Sequence, residues 1–294
     1  MRSFFAIVVL SLSLLLISCT KSITPSDKIS VFVSIVPEKF FVEKIGKDLV
    51  KVSVLVPPGS SPHSYEPRPS QMAGLSRAKI FFTIGVEFEN AWIPRIRDNA
   101  SNLKIVPIDS GIKKIAMSEH HHEDSHTASG HEEGLDPHIW LSPELVKLQA
   151  KKIMTSLSLI DPSHKETYLT NYQQFISELD TLQVKIKDVF ANCPHPTPFM
   201  VFHPAWGYFA QEFDLQEIPI EIEGKEPSPR EMVSILSIAK EKNIKTIFIQ
   251  PQFSSRTAQQ IAHEIGAQTA VANDLAENWD ENLQHIAQMI GDCK

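Results

Sequence analysis

The chain has 294 residues, enough for one large or two ordinary domains, each with its own hydrophobic core. Hydrophobic residues make up 42% of it and charged residues 21%, which is the balance of a folded soluble protein. A net charge of −7 and the lack of a basic stripe argue against nucleic-acid binding. The 12 histidines are the unusual feature, and five of them fall between His120 and His131.

The first residues predict an export signal. Arg2 gives a positive start, and residues 4–17 form an apolar run interrupted only by Ser11 and Ser13. A run of this length suits a signal peptide and is too short to span a bilayer comfortably. It ends in Leu-Ile-Ser-Cys at Cys19, which resembles the bacterial lipobox. That resemblance implies removal of residues 1–18 and lipidation of Cys19, with a plain secretion signal as the alternative. Residues 19–28, rich in Ser, Thr and Pro, then predict a lipidated, flexible tether.

Residues 29–162 predict an N-terminal α/β lobe, because apolar runs alternate with helical patterns. The predicted strands cover residues 29–36, 50–56, 79–84 and 103–108. The predicted helices cover residues 37–46, 70–77, 89–97 and 142–159. Alternation of this kind calls for a parallel sheet covered on both faces.

Residues 163–192 predict one long linking helix. Its apolar residues recur at spacings of three and four, which places them on one face. They are Tyr168, Tyr172, Phe175, Leu179, Leu182, Ile186 and Val189. Ser163 and Glu166 have the spacing of a capping box, and residues 165–190 would extend roughly 39 Å as a helix. A coiled-coil dimerisation helix is the alternative, but the pattern covers fewer than four heptads, which favours a strut within one chain.

Residues 193–294 predict a second α/β lobe with the same rhythm. The predicted strands cover residues 199–203, 215–220, 244–250 and 268–272. The predicted helices cover residues 205–213, 229–242, 257–265 and 280–290. The fold class is therefore α/β, with two similar lobes joined by one rigid helix. In such sheets, ligands bind at the carboxyl ends of the strands and in the cleft between lobes.

Three histidines lie at predicted boundaries of strands or helices. His63 follows the second strand in a stiff loop rich in Pro, Gly and Ser, His138 precedes a helix, and His203 ends a strand of the second lobe. A lone histidine is usually structural, but three neutral imidazoles converging between two lobes suit Zn²⁺, which takes nitrogen ligands tetrahedrally.

The surroundings of these histidines resemble a known family. The runs Pro-His-Ser-Tyr-Glu-Pro at His63, Asp-Pro-His-Ile-Trp-Leu-Ser-Pro at His138 and His-Pro-Ala-Trp-Gly-Tyr-Phe at His203 are similar to signatures of metal-binding solute-binding proteins of ABC transporters, in the zinc-uptake branch. The resemblance covers essentially the whole mature chain. It implies two lobes, each a four-stranded parallel sheet flanked by helices, with metal held between them by His63, His138 and His203. Manganese-selective relatives tend to have Glu where His203 stands.

The fourth ligand position departs from the family pattern. Relatives often carry Asp-Pro-Leu-Ala-Glu near the C-terminus, with the Asp at the metal, whereas this chain reads Asn-Asp-Leu-Ala-Glu from Asn273. An ungapped alignment puts Asn273 at the ligand position, beside a three-histidine site completed by water. A shifted loop would instead let Asp274 coordinate. Both residues could also simply cap the following turn.

Residues 118–134 predict a polar surface loop with weak, exchangeable metal sites. Its histidines lie among carboxylates and show no apolar periodicity. They are His120, His121, His122, His126 and His131. Metal capture or sensing is the functional interpretation, and an inert insertion is the alternative.

Two cysteines remain once Cys19 is lipidated. Cys193 and Cys293 both lie at predicted helix ends of the second lobe. An exported compartment permits a disulfide between them, but the sequence does not show whether they are close enough to form one.

The resemblance implies capture and delivery of Zn²⁺, as a transported ion, to an ABC transporter permease, with no enzyme activity. We expect an exported monomer, lipid-anchored in the periplasm or on the outer face of the cytoplasmic membrane. An exported zinc-dependent hydrolase is an alternative, since three histidines and a water also form a catalytic zinc site. Glu66 or Asp274 would then be the base. A manganese-selective binding protein and a surface adhesin are the further alternatives.

Replacing Cys19 by Ala tests the lipid anchor, because it removes the thiol that would carry the lipid. We expect the Cys19→Ala protein to be exported in soluble form, while the wild type partitions with membranes. Cell fractionation with fatty-acid labelling measures this. The matched variant Ser26→Ala, in the tether, should behave as the wild type. A Cys19→Ala protein that remains in the membrane fraction after signal cleavage would show the prediction to be wrong.

Overall fold

Two four-stranded parallel sheets, one on each side of a long helix, form the fold. The computed structural model describes residues 28–118, 134–222 and 224–292. Cys19, Cys293 and the five histidines between His120 and His131 lie outside these residues. The expected α/β class with two similar lobes is confirmed.

The N-terminal sheet has the strand order β2-β1-β3-β4. Its strands are β1 (Ile29–Val33), β2 (Val50–Val54), β3 (Ile80–Thr83) and β4 (Lys104–Pro107). The crossovers that parallel strands need are made through α1 (Val36–Gly46), α2 (Pro69–Leu75) and α3 (Glu87–Asn99). All of β3 is buried, which is why it appears in the sequence as a continuous apolar run.

The C-terminal sheet repeats this topology with the order β6-β5-β7-β8. Its strands are β5 (Thr197–Val201), β6 (Leu215–Pro219), β7 (Thr246–Ile249) and β8 (Gln268–Val271). Its helices are α6 (Gly207–Phe213), α7 (Pro229–Glu241), α8 (Arg256–Ile265) and α9 (Trp279–Ile290). In both sheets the chain runs from the first strand to one neighbour and then to the other side. This leaves a crevice at the carboxyl ends of the central strands, where side chains from the loops can meet.

Two helices connect the sheets. Helix α4 (Pro143–Ile160) leads through a 3-10 turn (Pro162–His164) into α5 (Lys165–Phe190), whose 26 residues form the predicted linking helix. The apolar stripe of α5 packs against α1, α4 and α9. Because the stripe is used within the chain, the strut is favoured over a coiled-coil helix.

The predicted capping box at the start of α5 is wrong. Ser163 lies in the 3-10 turn, and the hydroxyl of Ser163 donates to Asp161 Oδ1 at 2.6 Å instead of capping the helix. The Asp161 carboxylate also accepts from Tyr168 Oη at 2.8 Å. Pro162 favours this tighter turn. The third residue of the turn, His164, therefore separates Ser163 from the first residue of the α-helix, Lys165.

The larger of two apolar cores among the described residues runs through both lobes. The buried cluster joins the N-terminal sheet, α5 and the C-terminal lobe. At its centre, the ring of Phe41 in α1 lies 5.1 Å from that of Trp279 in α9 and 6.2 Å from that of Phe175 in α5. Since Trp279 is only 1% exposed, separating the lobes widely would expose large aromatic surfaces. The packing therefore favours small relative movements.

Cys193 takes part in a disulfide bond. Its Sγ lies 3.5 Å from the carbonyl oxygen of Gly291, two positions before Cys293 in the chain. The pairing with Cys293 remains a prediction. Among the described helices, none combines the length and the apolar character needed to cross a membrane.

Two buried carboxyl groups fill the crevice of the N-terminal sheet. Glu38 Oε2 accepts from the backbone amides of Ser34 at 2.9 Å and Ile35 at 3.0 Å, which ends the first strand earlier than its apolar run predicts. Glu89 accepts from Ser34 Oγ and from the amide of Gly85, the latter at 2.9 Å. Burial raises the pKa of Glu89 to about 7. Burial also raises the pKa of Glu38, and the nearby charge of Glu89 adds to this effect.

The raised pKa of Glu89 predicts a stability that depends on pH. The folded state binds this proton more tightly than the unfolded chain, whose pKa is near 4.5. The contribution is therefore complete below about pH 4.5 and is lost as the pH rises through about 7. Within this window we expect the group to change the free energy of unfolding by about 1.4 kcal/mol per pH unit. Urea unfolding of metal-free protein at several pH values measures it.

Two variants isolate this effect. Glu89→Gln, which cannot ionise, should reduce the pH dependence by the contribution of this one group, whereas Glu166→Gln, at an exposed position of α5, should leave it unchanged. An unaltered slope in Glu89→Gln would contradict the assignment.

Candidate metal centre

His63, His138 and His203 come together between the two lobes. His63 lies in the loop between β2 and α2, His138 precedes a 3-10 turn (Ile139–Leu141), and His203 follows β5. Each offers one ring nitrogen, and these nitrogens all lie within 4.8 Å of one another. Within residues 28–118, 134–222 and 224–292, no other group of His, Cys, Asp and Glu meets this condition.

The ring nitrogens point into a very small space. His63 Nε2 and His203 Nε2 lie 3.1 Å apart, and the ring centroids of His138 and His203 are separated by 5.3 Å. His138 and His203 are buried, whereas the side chain of His63 is 29% exposed. The cavity beside His63 and His138 has a volume of about 10 Å³, which is room for one ion or one water molecule.

A separate carboxylate holds the Nδ1 atom of each ring. The distances are 2.9 Å from His63 to Glu87, 2.7 Å from His138 to Asp136 and 2.8 Å from His203 to Glu221. A carboxylate at Nδ1 fixes the tautomer and the orientation of an imidazole and raises its basicity as a ligand. Each ring therefore presents Nε2 as the available donor. The three histidines and their three carboxylate partners are His63 with Glu87, His138 with Asp136 and His203 with Glu221.

Burial and the carboxylates shift the pKa values of these imidazoles in opposite directions. Burial lowers the pKa of His203, although the hydrogen bond that its Nδ1 donates to Glu221 opposes it. Burial would also lower the pKa of His138, but the charge and hydrogen bond of Asp136, with the charges of Asp274 and Glu87, together outweigh it, so that this pKa is raised. The interaction with His63 brings the pKa of Glu87 to about 2 against the effect of burial. The carboxylates thus favour positive charge at the rings, whereas burial opposes it.

Neighbouring residues fix the backbone and ring of His203. Gln250 Oε1 accepts from the amide of His203 at 3.2 Å, and Gln250 Nε2 donates to its carbonyl oxygen at 2.7 Å. The ring of Phe253 stacks on the imidazole with centroids 4.5 Å apart. The amide pair and the stacked ring leave His203 little rotational freedom.

The structure separates the two candidates for the fourth position. Asn273 Oδ1 accepts from the amide of Leu275 at 3.0 Å, so its side chain caps the following turn. Asp274 is 4% exposed, its Oδ1 accepts from Gln252 Nε2 at 3.1 Å, and it lines the same small cavity as His63.

Sequence reasoning missed the three orienting carboxylates. Asp136, two residues before His138, could have been recognised, because its Oδ1 also accepts from the backbone amide of that histidine at 2.8 Å, a local turn. Glu87 and Glu221 give no local signal, since they are 24 and 18 positions from their histidines in the sequence. The accessory histidines between His120 and His131 lie outside the described residues.

Known proteins with similar sequences and structures bind zinc. The model of the family described as "Zinc-uptake complex component A periplasmic" (ZnuA) matches residues 31–293. The high-affinity zinc uptake system protein ZnuA of Bacillus subtilis is 32% identical over 294 residues, covering 95% of this chain and 92% of that protein. The zinc-binding lipoprotein AdcA of Streptococcus pneumoniae (strain ATCC BAA-255 / R6) is 25% identical over 277 residues, 92% of this chain and 55% of AdcA. A crystal structure of a zinc-bound ZnuA deletion mutant has a TM-score of 0.83 and 40% identity, covering 91% of this chain and 98% of that one.

Replacing Glu221 by Ala tests the role of the orienting carboxylates. The imidazole of His203 would lose its fixed tautomer and orientation, so we expect zinc affinity to fall by about 10–100-fold. Competition with a chromophoric chelator measures the affinity. Glu264→Ala, which removes an exposed carboxylate from α8 of the same lobe, is the matched control. Equal affinities for Glu221→Ala and the wild type would argue against the role.

Proposed function

Because the chain belongs to the family of periplasmic zinc-uptake components, we propose that it captures Zn²⁺ with His63, His138 and His203 and delivers it to the permease of an ABC transporter. The observation that carries this proposal is the convergence of three imidazoles, each oriented by its own carboxylate. Neutral imidazoles are ligands that Zn²⁺ prefers, and three of them with one further donor make a tetrahedral site. The ion is the transported substrate.

Asp274 is the fourth ligand in this proposal. Its carboxylate is buried beside the histidines, whereas the side chain of Asn273 is engaged in a turn. One carboxylate added to three neutral imidazoles gives the centre one negative charge of its own, which suits a divalent cation. With His63 and His138 in one lobe and His203 and Asp274 in the other, the ion bridges the lobes.

Zinc is favoured over manganese by the donor set. Mn²⁺ is a harder ion that prefers oxygen ligands, and it lies at the weak end of the divalent series for nitrogen sites. The relatives named above are zinc proteins, which agrees with a nitrogen-rich centre.

Binding without catalysis fits the site better than hydrolysis. Solute-binding proteins of this family are non-catalytic components of transport systems. The cavity of about 10 Å³ has no room for an ester or a peptide beside the ion. Of the two bases considered, Glu66 is exposed and Asp274 is hydrogen-bonded to Gln252.

The proposal includes attachment to a membrane. Cleavage before Cys19 and lipidation of its thiol would tether a monomer by residues 19–28, and the relative AdcA is named a lipoprotein. The two lobes would comprise residues 29–162 and 193–294, with residues 163–192 between them. Lipid anchoring would keep the binding protein close to its permease.

Two further parts of the chain complete the proposal. Histidines 120, 121, 122, 126 and 131 would hold metal weakly and feed the main site. A disulfide between Cys193 and Cys293 would fasten the end of α9 to the start of the C-terminal lobe, for which the position of Gly291 beside Cys193 is the support.

The proposed site predicts a specific pattern of metal affinities. We expect the wild type to bind one Zn²⁺ tightly and Mn²⁺ at least about a hundredfold more weakly. His203→Ala should lower the zinc affinity by more than about a hundredfold, a larger loss than removal of an orienting carboxylate usually causes. His203→Glu should shift preference towards Mn²⁺. Metal analysis of the purified protein and competition titrations measure these effects.

The fourth ligand is tested by a matched pair of variants. Asp274→Ala should weaken zinc binding more than Asn273→Ala, because only the former removes a donor from the cavity. Tight Mn²⁺ binding by the wild type, or undiminished zinc affinity after His203→Ala, would refute the site.

A further inference from the structure

His63 is held by contacts within its own lobe. Its backbone amide donates to Ser61 Oγ at 3.3 Å, and its Nδ1 contacts Glu87 at 2.9 Å. The carbonyl oxygen of the preceding Pro62 accepts from the amide of Phe88 at 3.4 Å. All of these partners belong to the loop between β2 and α2 or to α3. His63 must therefore follow the N-terminal lobe in any relative movement.

The segment 136–140, which carries His138, is bonded to the other lobe. Tyr208 Oη in α6 donates to the carbonyl oxygen of Asp136 at 2.8 Å. The same hydroxyl accepts from the amide of Ile115 at 3.1 Å, and Ile115 in turn accepts from the amide of Asp136 at 2.9 Å. The backbone at Ile115, which is hydrogen-bonded to Asp136, is thus also hydrogen-bonded to α6.

Two indoles make a second attachment at the other end of the segment. Trp279 Nε1, at the start of α9, donates to the carbonyl oxygen of Trp140 at 2.8 Å. Trp140 Nε1 donates to the carbonyl oxygen of Asp274 at 2.8 Å. The backbone of the proposed fourth ligand is therefore bonded to the segment that carries His138.

The segment also keeps ties to its own lobe, through Ile115 and through its continuation into α4, but the bonds to α6 and α9 are made by buried donors. Tyr208, Trp140 and Trp279 are buried, so their hydrogen bonds lie in a medium of low dielectric, where leaving a partner unsatisfied is costly. From α4, Gln149 Nε2 donates to the carbonyl oxygen of Ile139 at 3.3 Å, a longer contact.

We propose that Tyr208, Trp140 and Trp279 are positioning residues that attach His138 to the C-terminal lobe, so that His63 is the ligand that parts from the ion when the lobes separate. The proposal rests on the proposed function, since it concerns release of the same ion. Its consequence is an ordered release. His138, His203 and Asp274 move as one unit and retain the ion weakly, while the exposed side of the centre opens at His63.

A small movement is enough for this step. Zinc–imidazole bonds measure about 2.0–2.1 Å, so a displacement of roughly 1 Å breaks one. Such a displacement leaves the aromatic core around Phe41 and Trp279 packed. The continuous apolar core and the release of a tightly held ion are therefore compatible.

The first test removes the positioning bonds singly. Tyr208→Phe and Trp279→Phe each delete one buried donor and keep an aromatic ring. We expect each to raise the zinc dissociation constant about fivefold, the usual effect of one such bond. Tyr168→Phe is the matched control, because among the described residues its hydroxyl is bonded to Asp161, in the turn before α5 and away from the histidines. Stopped-flow chelation and competition titrations of the mature chain measure both rate and affinity.

The second test repeats these variants in two backgrounds. With His63→Ala, Tyr208→Phe and Trp279→Phe should still weaken the remaining zinc binding about fivefold each. With His138→Ala, Tyr208→Phe should have no effect, because the residue that it positions is gone, whereas Trp279→Phe retains the part of its effect that passes through Trp140 to Asp274. A purely structural role would weaken binding equally in both backgrounds, and that result would overturn the proposal. Absence of zinc binding by the wild type would instead overturn the proposed function.

A structural measurement covers the case in which a variant does not fold. Crystal structures of the wild type with and without Zn²⁺ are superposed on the C-terminal lobe. We expect His138 to stay with His203 and His63 to be displaced. Displacement of His138 together with His63, or no displacement of any ligand, would contradict the proposal.

Discussion

The structure depends on the hydrogen bond between each metal-facing imidazole and its own carboxylate. Without a partner at Nδ1, a buried imidazole can exchange tautomers and rotate, and three such rings would not keep Nε2 directed at one point. Glu87, Asp136 and Glu221 supply these partners at 2.7–2.9 Å. They also place negative charge around three imidazoles, which favours a cation over an anion at this point.

This arrangement requires accurate packing of the two lobes, because imidazoles from both lobes meet within 4.8 Å. The linking helix α5 and the aromatic cluster of Phe41, Phe175 and Trp279 supply that accuracy through one continuous core. Wide closure about a flexible hinge would expose this core, whereas small shifts of the packed helices would not. The attachment of the His138 segment to α6 and α9 divides the proposed ligands unequally between the lobes, and in the proposed release a small shift acts mainly on His63.

Some sequence predictions were wrong for local reasons. The capping box at Ser163 was wrong because Pro162 and Asp161 build a 3-10 turn that uses the Ser163 hydroxyl. The first strand was predicted too long. Ser34 is small and neutral and Ile35 is apolar, so both fit a strand in the sequence, but their backbone amides donate to Glu38. In both cases a side chain a few residues away competes for the backbone or hydroxyl group, and periodicity does not register such competition.

The sequence by itself determined the two α/β lobes, the linking helix and the three histidines. Strand and helix periods are local properties, and His63, His138 and His203 each stand in a distinctive run at the end of an element. Only the tertiary structure decided which carboxylates orient the rings and which side chain, that of Asn273, is engaged in the turn. It also decided that the segment carrying His138, assigned by sequence to the N-terminal lobe, is bonded to the C-terminal one through the carbonyl groups of Asp136 and Trp140. The reason is physical: Glu87, Glu221, Tyr208 and Trp279 are remote in sequence from the histidines they serve, and only the packing of the lobes brings them into contact.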